Sequence, residues 1–178
     1  MSRNREESYQ PTWLKPQFEN IPVELRKQLW AVWRAEKKFD KEGSPTGKWG
    51  KAPRSPKTGL MIGADKPTLF ATFEEAKNAY ETGSYTGVGV LLAGNGITGV
   101  DIDDAVNLFE ERPQVRDWVK EAIKSGAYCE MSPSNTGLRI FFNGKLNGKG
   151  RKVGGLEIYD DKRFLTVTGV VKKWKGVA

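Results

Sequence analysis

The chain has 178 residues, 38% hydrophobic and 11% aromatic, with a net charge of +7; that suits one domain, or two small lobes sharing a real apolar core. It has no histidine and one cysteine, Cys129, which excludes histidine-ligated metals, Ser-His-Asp and Cys-His nucleophiles, an internal disulfide and a cysteine zinc site. No apolar run reaches membrane-span length and the first ten residues are polar, so a cytosolic protein with no membrane contact is expected; without histidine, any catalysis must run on carboxylates, basic residues and a metal.

Residues 1–20 read as a flexible arm with scattered prolines. Pro22 opens a short helix carrying Val23, Leu25 and Arg26. Residues 29–34 are strand-like and aromatic. Between Lys37 and Lys57 lie seven basic residues against two acids, with Gly43, Gly47, Gly50 and three prolines. Residues 48–59 there read as an extended, turn-rich basic loop. Trp49 suits equally a base-stacking platform or a plug at the core edge. Thr72 with Glu75 forms a capping box, opening a helix whose stripe is Phe73, Ala76, Ala79 and Tyr80 and which Gly83 ends.

Two apolar runs follow, 88–93 and 97–102, joined by Gly94-Asn95-Gly96. They read as an antiparallel hairpin. Side chains alternate along a strand, so Asp101 and Asp103 share a face while Ile102 enters the core. Such a pair suits a hard divalent cation, or else a strand end running into a helix cap at Asp103 or Asp104. A helix then starts at Ala105 and is restarted at Pro113, with Val115, Trp118, Val119, Ala122 and Ile123 on one face. A strand over 127–131 holds Cys129 as a small buried hydrophobe. A polar loop over 132–137, a strand over 138–142 and a basic, glycine-rich loop over 144–154 come next. Residues 155–159 and 164–168 read as a last hairpin, and 171–178 as a basic tail.

The charge is unevenly spread. Residues 1–60 hold 13 basic and 7 acidic side chains, 101–130 hold 4 and 8, and 143–178 hold 9 and 3. An acidic centre between basic flanks suits a metal site served by a polyanion track. Lys48, Lys51, Arg54, Lys149, Arg151 and Lys152 are its candidates. Arg139 and Glu157 are charged residues set between apolar neighbours on strands. If their strands neighbour that of Asp101 and Asp103, three carboxylates and a guanidinium meet, fit to hold one or two Mg²⁺ beside an anion clamp. The hydroxyls and N–H groups of 132–137 are donors a triphosphate needs.

Three motifs in order, Val100-Asp101-Ile102-Asp103, then Ser132-Pro133-Ser134-Asn135-Thr136-Gly137-Leu138-Arg139, then Gly155-Leu156-Glu157-Ile158-Tyr159-Asp160, resemble the primase–polymerase domain of phage, plasmid and prophage replication proteins, in the archaeo-eukaryotic primase superfamily. Ile21-Pro22-x-x-Leu25, Trp30-x-x-Trp33-Arg34, Lys51-x-Pro53-x-Ser55-Pro56-x-Thr58-Gly59 and Thr72-Phe73-Glu74-Glu75-Ala76 resemble its N-terminal part. The resemblance covers about residues 20–170. It implies an α+β fold with an RRM-like sheet, helices on one face and an N-terminal α/β lobe. The domain then spans 21–170, with lobes over about 21–86 and 87–170. It implies template-directed nucleotidyl transfer with Mg²⁺ or Mn²⁺, on a single-stranded DNA template with primer and nucleoside triphosphates, beside a helicase domain or protein, in the cytoplasm of a bacterial host. Asp101, Asp103 and Glu157 correspond to metal-binding catalytic acids; Ser132, Ser134, Thr136, Gly137 and Arg139 correspond to the incoming-nucleotide pocket. Many members carry histidine where this chain has Arg139, whose permanent charge can serve the same phosphate contact. Two other readings fit the same residues: a non-catalytic single-strand-binding replication module, and a metal-dependent nuclease.

Overall fold

Two antiparallel sheets and a separate two-stranded ribbon make up the strands of the described residues. The computed structural model describes residues 11–171; the first half of the expected arm and the basic tail from 172 lie outside the described residues. The elements in order are α1 (Val23–Arg26), β1 (Leu29–Trp33), β2 (Glu36–Phe39), β3 (Pro45–Gly50), β4 (Pro53–Arg54), α2 (Phe73–Ala79), β5 (Gly87–Leu92), β6 (Ile97–Ile102), α3 (Ala105–Glu111), α4 (Pro113–Lys124), β7 (Tyr128–Met131), β8 (Leu138–Asn143), β9 (Arg151–Val153), β10 (Leu156–Tyr159) and β11 (Arg163–Val167). The first sheet runs β11-β5-β1-β4 and the second β7-β8-β6-β10-β9, while β2 and β3 pair only with each other. This is an α+β architecture. Among the described residues no helix is long and apolar enough to cross a membrane.

Both expected hairpins are corrected. Strands β5 and β6 lie in different sheets, and so do β10 and β11. The reason is edge occupancy: β5 is hydrogen-bonded between β1 and β11, and β6 between β8 and β10. The two short links therefore carry the chain between sheets, and Gly94 N–H donates to Asp160 C=O at 2.8 Å to tie them together. Gly99 allows the sheets to close. A Cβ there would stand 2.5 Å from Leu165 Cδ1 and 3.0 Å from Leu92 Cδ1. The stretch over 48–59 is likewise not a loop throughout: its start completes the β2–β3 hairpin and Pro53–Arg54 adds an edge to the first sheet.

The second sheet has the RRM strand order. Four of its five strands run β10-β6-β8-β7, and α3 and α4 connect β6 to β7; the second crossover helix of that pattern is replaced by the basic loop and β9. Val100, Ile102, Leu138 and Ile140 on one face pack against Ala105, Leu108, Phe109 and Val119 of the helices. Each of the larger side chains contributes about 1.5–3 kcal/mol by burial. The helix side of the sheet is thus apolar, leaving Asp101, Arg139 and Glu157 on the other. Cys129 packs partly buried at this core, and burial pushes its thiol up to about 12, which keeps it an inert hydrophobe. The capping box forms as expected, Thr72 accepting from the Glu75 N–H while Glu75 accepts from the Thr72 N–H.

Residues 11–17 are tied down rather than loose. Leu14 N–H donates to Pro133 C=O at 2.9 Å and Gln17 N–H to Thr168 C=O at 2.7 Å. Glu130 locks the neighbouring segment. Its buried carboxylate accepts from Thr168 N–H at 2.8 Å, Gly169 N–H at 2.7 Å and the Tyr128 hydroxyl at 2.7 Å. Burial pushes its pKa up to about 7, against the pull of those donors. A carboxyl raised in the folded state contributes stability below its unfolded pKa and loses it as pH rises through the folded one. Wild type should therefore lose stability from about pH 4.5 to 7 relative to Glu130→Gln, in urea titrations across that range. Glu130→Ala, which strands two buried N–H donors, should cost about 2–5 kcal/mol throughout.

Candidate active site

The cross-strand register assembles the site. Glu157 on β10 is the partner of Asp101 on β6, Asp101 of Arg139 on β8, and Arg139 of Glu130 on β7. Directly opposed residues share a face, so four strands place one row of charges on the side away from the helices. Lys152 on β9 extends it as the partner of Glu157.

Asp101 and Glu157 are buried and Asp103 is exposed at the end of β6. Oxygens of the three carboxylates lie within 4.8 Å of one another. Such a set repels itself unless cations answer it. Arg139 pairs with Asp101, Lys152 with Glu157, and Arg163 with Glu157 at 2.5 Å. Burial alone would raise Glu157, but Lys152 and Arg163 outweigh it and hold the carboxyl below its usual range. Arg139 is itself buried, which pulls its guanidinium down to about 10, still fully charged at neutral pH. Asp103 is held through its main chain, its N–H donating to Gly155 C=O at 2.8 Å. Three carboxylates with oxygen ligands only form a donor set that could hold a hard divalent cation. Asp104 occupies the position before α3, with φ of 44° and no side-chain cap; its carboxylate accepts from Asn107 Nδ2 at 2.6 Å.

The 132–137 loop stands at the same end of β6 as Asp103, since Leu138, which follows it, is the partner of Ile102. Ser132, Ser134 and Thr136 chain their hydroxyls at 3.2 and 2.9 Å. Gly137 N–H donates to Ser132 Oγ at 3.0 Å. A Cβ on Gly137 would lie 2.2 Å from Ile102 C=O, so only glycine lets the loop approach the acids this closely.

One cavity of about 660 Å³ gathers these groups, and Lys48, Lys51, Asp101, Asp103, Ser134, Arg139, Lys152 and Glu157 line it. Among the expected track residues, Arg54 is turned elsewhere: it pairs with Glu36 at 2.5 Å and donates to Gly59 C=O. Lys149 and Arg151 do not line the cavity but lie at or beside the β9 edge. Sequence reasoning did not assign Trp13, Lys38, Arg163 or Thr166, which also line it. Trp13 packs edge-on against Trp33 and Trp49, with ring centres at 5.5 and 6.1 Å. Lys51 stands 5.2 Å above the Trp13 ring. Burial, then the charge of Arg139, brings Lys51 down to about 8. Nothing local points to Trp13 or to Arg163, which follows the charged run Asp160-Asp161-Lys162.

The sequence was compared with known proteins. It is 26% identical over 151 residues to a DNA Primase-polymerase from Nitratiruptor phage NrS-1. That similarity supports a primase–polymerase domain. The aligned part is 80% of this chain and 19% of the relative, so the chain spans about a fifth of that protein's length. No protein-family model matches the chain.

Proposed function

We propose that this domain catalyses template-directed nucleotidyl transfer to DNA, as a primase–polymerase acting in phage or plasmid replication. The observation that carries the reading is the acid triad beside buried Arg139, in a cavity large enough for a nucleotide and walled by lysines and tryptophans. The similarity to the phage enzyme supports the same reading.

Asp101, Asp103 and Glu157 would hold Mg²⁺ or Mn²⁺, which when bound supplies positive charge that favours ionisation of an attacking hydroxyl and offsets charge on the leaving group. Arg139 grips phosphate oxygens in a two-pronged contact. Ser134, with Ser132 and Thr136 behind it, offers hydroxyl donors, and Gly137 keeps the loop close. In the reaction the 3′-oxygen of a primer attacks the α-phosphate of a nucleoside triphosphate, and pyrophosphate leaves. Lys48, Lys51 and Lys152 in the cavity, with Lys149 and Arg151 at or beside the β9 edge, form a track for template and primer phosphates. Arg54, engaged with Glu36, is left out. The setting we infer is the cytoplasm of a bacterial host, with a helicase domain or protein opening the duplex.

The deciding assay uses a single-stranded template and labelled nucleotides, with and without primer, with Mg²⁺ or Mn²⁺. Products that lengthen only with metal and follow the template sequence are expected. Strand binding without incorporation would point to a recruitment module, and primer shortening to a nuclease.

A further inference from the structure

Three buried polar atoms have no hydrogen-bond partner among the described residues: Trp13 Nε1, Arg139 Nε and Thr166 Oγ1. All three residues line the same cavity as the acid triad. Arg139 and Thr166 are only 5% and 4% exposed. Buried polar atoms are almost always paired, and leaving one unpaired costs free energy. Three such atoms on residues that line one cavity point to a ligand that completes it.

The chemistry of the atoms selects the ligand. An indole N–H and a guanidinium Nε–H only donate, and a threonine hydroxyl can donate. The Lys51 ammonium, seated on the Trp13 ring, adds further donors. A base edge presents donors and acceptors together, and ribose hydroxyls do the same. Phosphate oxygens only accept, so the donors left unpaired here are matched to them. A polyphosphate has acceptors spread widely enough to meet donors from different elements. Those elements are far apart in sequence: Trp13 is carried by the 11–17 segment, which Leu14 ties to the 132–137 loop and Gln17 ties to the end of β11. Thr166 comes from β11 of the first sheet and Arg139 from β8 of the second.

We propose that Trp13 and Thr166 are nucleotide-binding residues whose indole N–H and hydroxyl join Arg139 Nε in hydrogen-bonding the triphosphate of the incoming nucleotide. This rests on the nucleotidyl-transfer reading. The 11–17 segment is then a structural strap that completes the pocket across both sheets. Its unpaired donors are a stability cost kept for function.

Trp13→Phe and Thr166→Val each remove one donor and keep most of the shape. Affinities for magnesium tripolyphosphate, magnesium dGTP and a twelve-residue oligothymidine are measured by calorimetry for wild type and both variants. Each variant is expected to weaken tripolyphosphate and dGTP binding about tenfold, the effect of one lost hydrogen bond to a charged group, and to leave oligothymidine binding unchanged. Thr166→Val should melt no lower than wild type, because the hydroxyl it loses is unpaired; a merely structural threonine would show the opposite. Unchanged tripolyphosphate and dGTP affinity in both variants overturns the assignment. Weakening confined to oligothymidine overturns it too, and assigns the donors to the backbone phosphates of nucleic acid. If wild type binds neither tripolyphosphate nor dGTP, the nucleotidyl-transfer reading falls with it.

Discussion

Asp101→Asn and Glu157→Gln, made singly, are each expected to cut metal-dependent incorporation by about a thousandfold or more while the protein stays folded. A carboxylate that holds a catalytic cation supports several kcal/mol of charge stabilisation, and each 1.4 kcal/mol or so is a factor of ten in rate. The amide variants are the informative ones. Asp101 is the ion-pair partner of buried Arg139, so Asp101→Ala would strand a buried guanidinium at a cost of about 3–5 kcal/mol. Loss of activity and loss of fold would then be confused. Asparagine keeps an oxygen against Arg139 and removes only the negative charge. Asp103 differs because it is exposed and has no ion pair among the described residues. Asp103→Asn removes a third like charge from beside two others, so its melting temperature should hold or rise while incorporation still collapses. Primer extension and thermal unfolding on the three variants check both halves. Normal extension by Asp101→Asn would sink the assignment of the site.

The acids were legible from the chain because strand alternation is local. A charged residue between apolar neighbours, as at Arg139 and Glu157, announces a face. What alternation cannot supply is which strands are neighbours. The links of Gly94-Asn95-Gly96 and Asp160-Asp161-Lys162 look like hairpin turns, yet each carries the chain from one sheet to the other. The competing fact is long-range: β11 takes the edge of β5 that a hairpin would need. The same limit hid Trp13. Its place in the cavity depends on a hydrogen bond from Leu14 to Pro133, well over a hundred residues away. Arg54 stays outside the cavity for a nearer reason, since Glu36 on β2 pairs with its guanidinium. Glu130 lay in a run read only as a strand, and nothing in its neighbours foretold that the N–H groups of 168 and 169 would meet it.

Replacing Arg139 is expected to move two affinities in opposite directions. In the folded chain Arg139 answers Asp101, while Lys152 and Arg163 answer Glu157. A divalent cation entering the triad competes with that guanidinium for Asp101. A triphosphate offers Arg139 another anionic partner, so metal and nucleotide should bind with positive coupling. Arg139→Met removes the competitor. At roughly 5 Å and an effective dielectric near 20, one positive charge opposes a cation by a few kcal/mol. Mn²⁺ alone should therefore bind Arg139→Met about tenfold or more tightly than wild type, and triphosphate should bind it at least about tenfold more weakly as the two-pronged contact is lost. Without metal the variant should be less stable by about 3–5 kcal/mol, because Asp101 is left buried and unanswered, and added Mn²⁺ should restore part of that loss by mass action. Arg139→Lys separates charge from shape: it keeps a cation beside Asp101, so stability and Mn²⁺ affinity should stay near wild type while triphosphate affinity still falls. Calorimetric titration of Mn²⁺ with and without nucleotide, on both variants, reads all of these quantities. Equal Mn²⁺ affinity in wild type and Arg139→Met would mean that the guanidinium does not guard the triad.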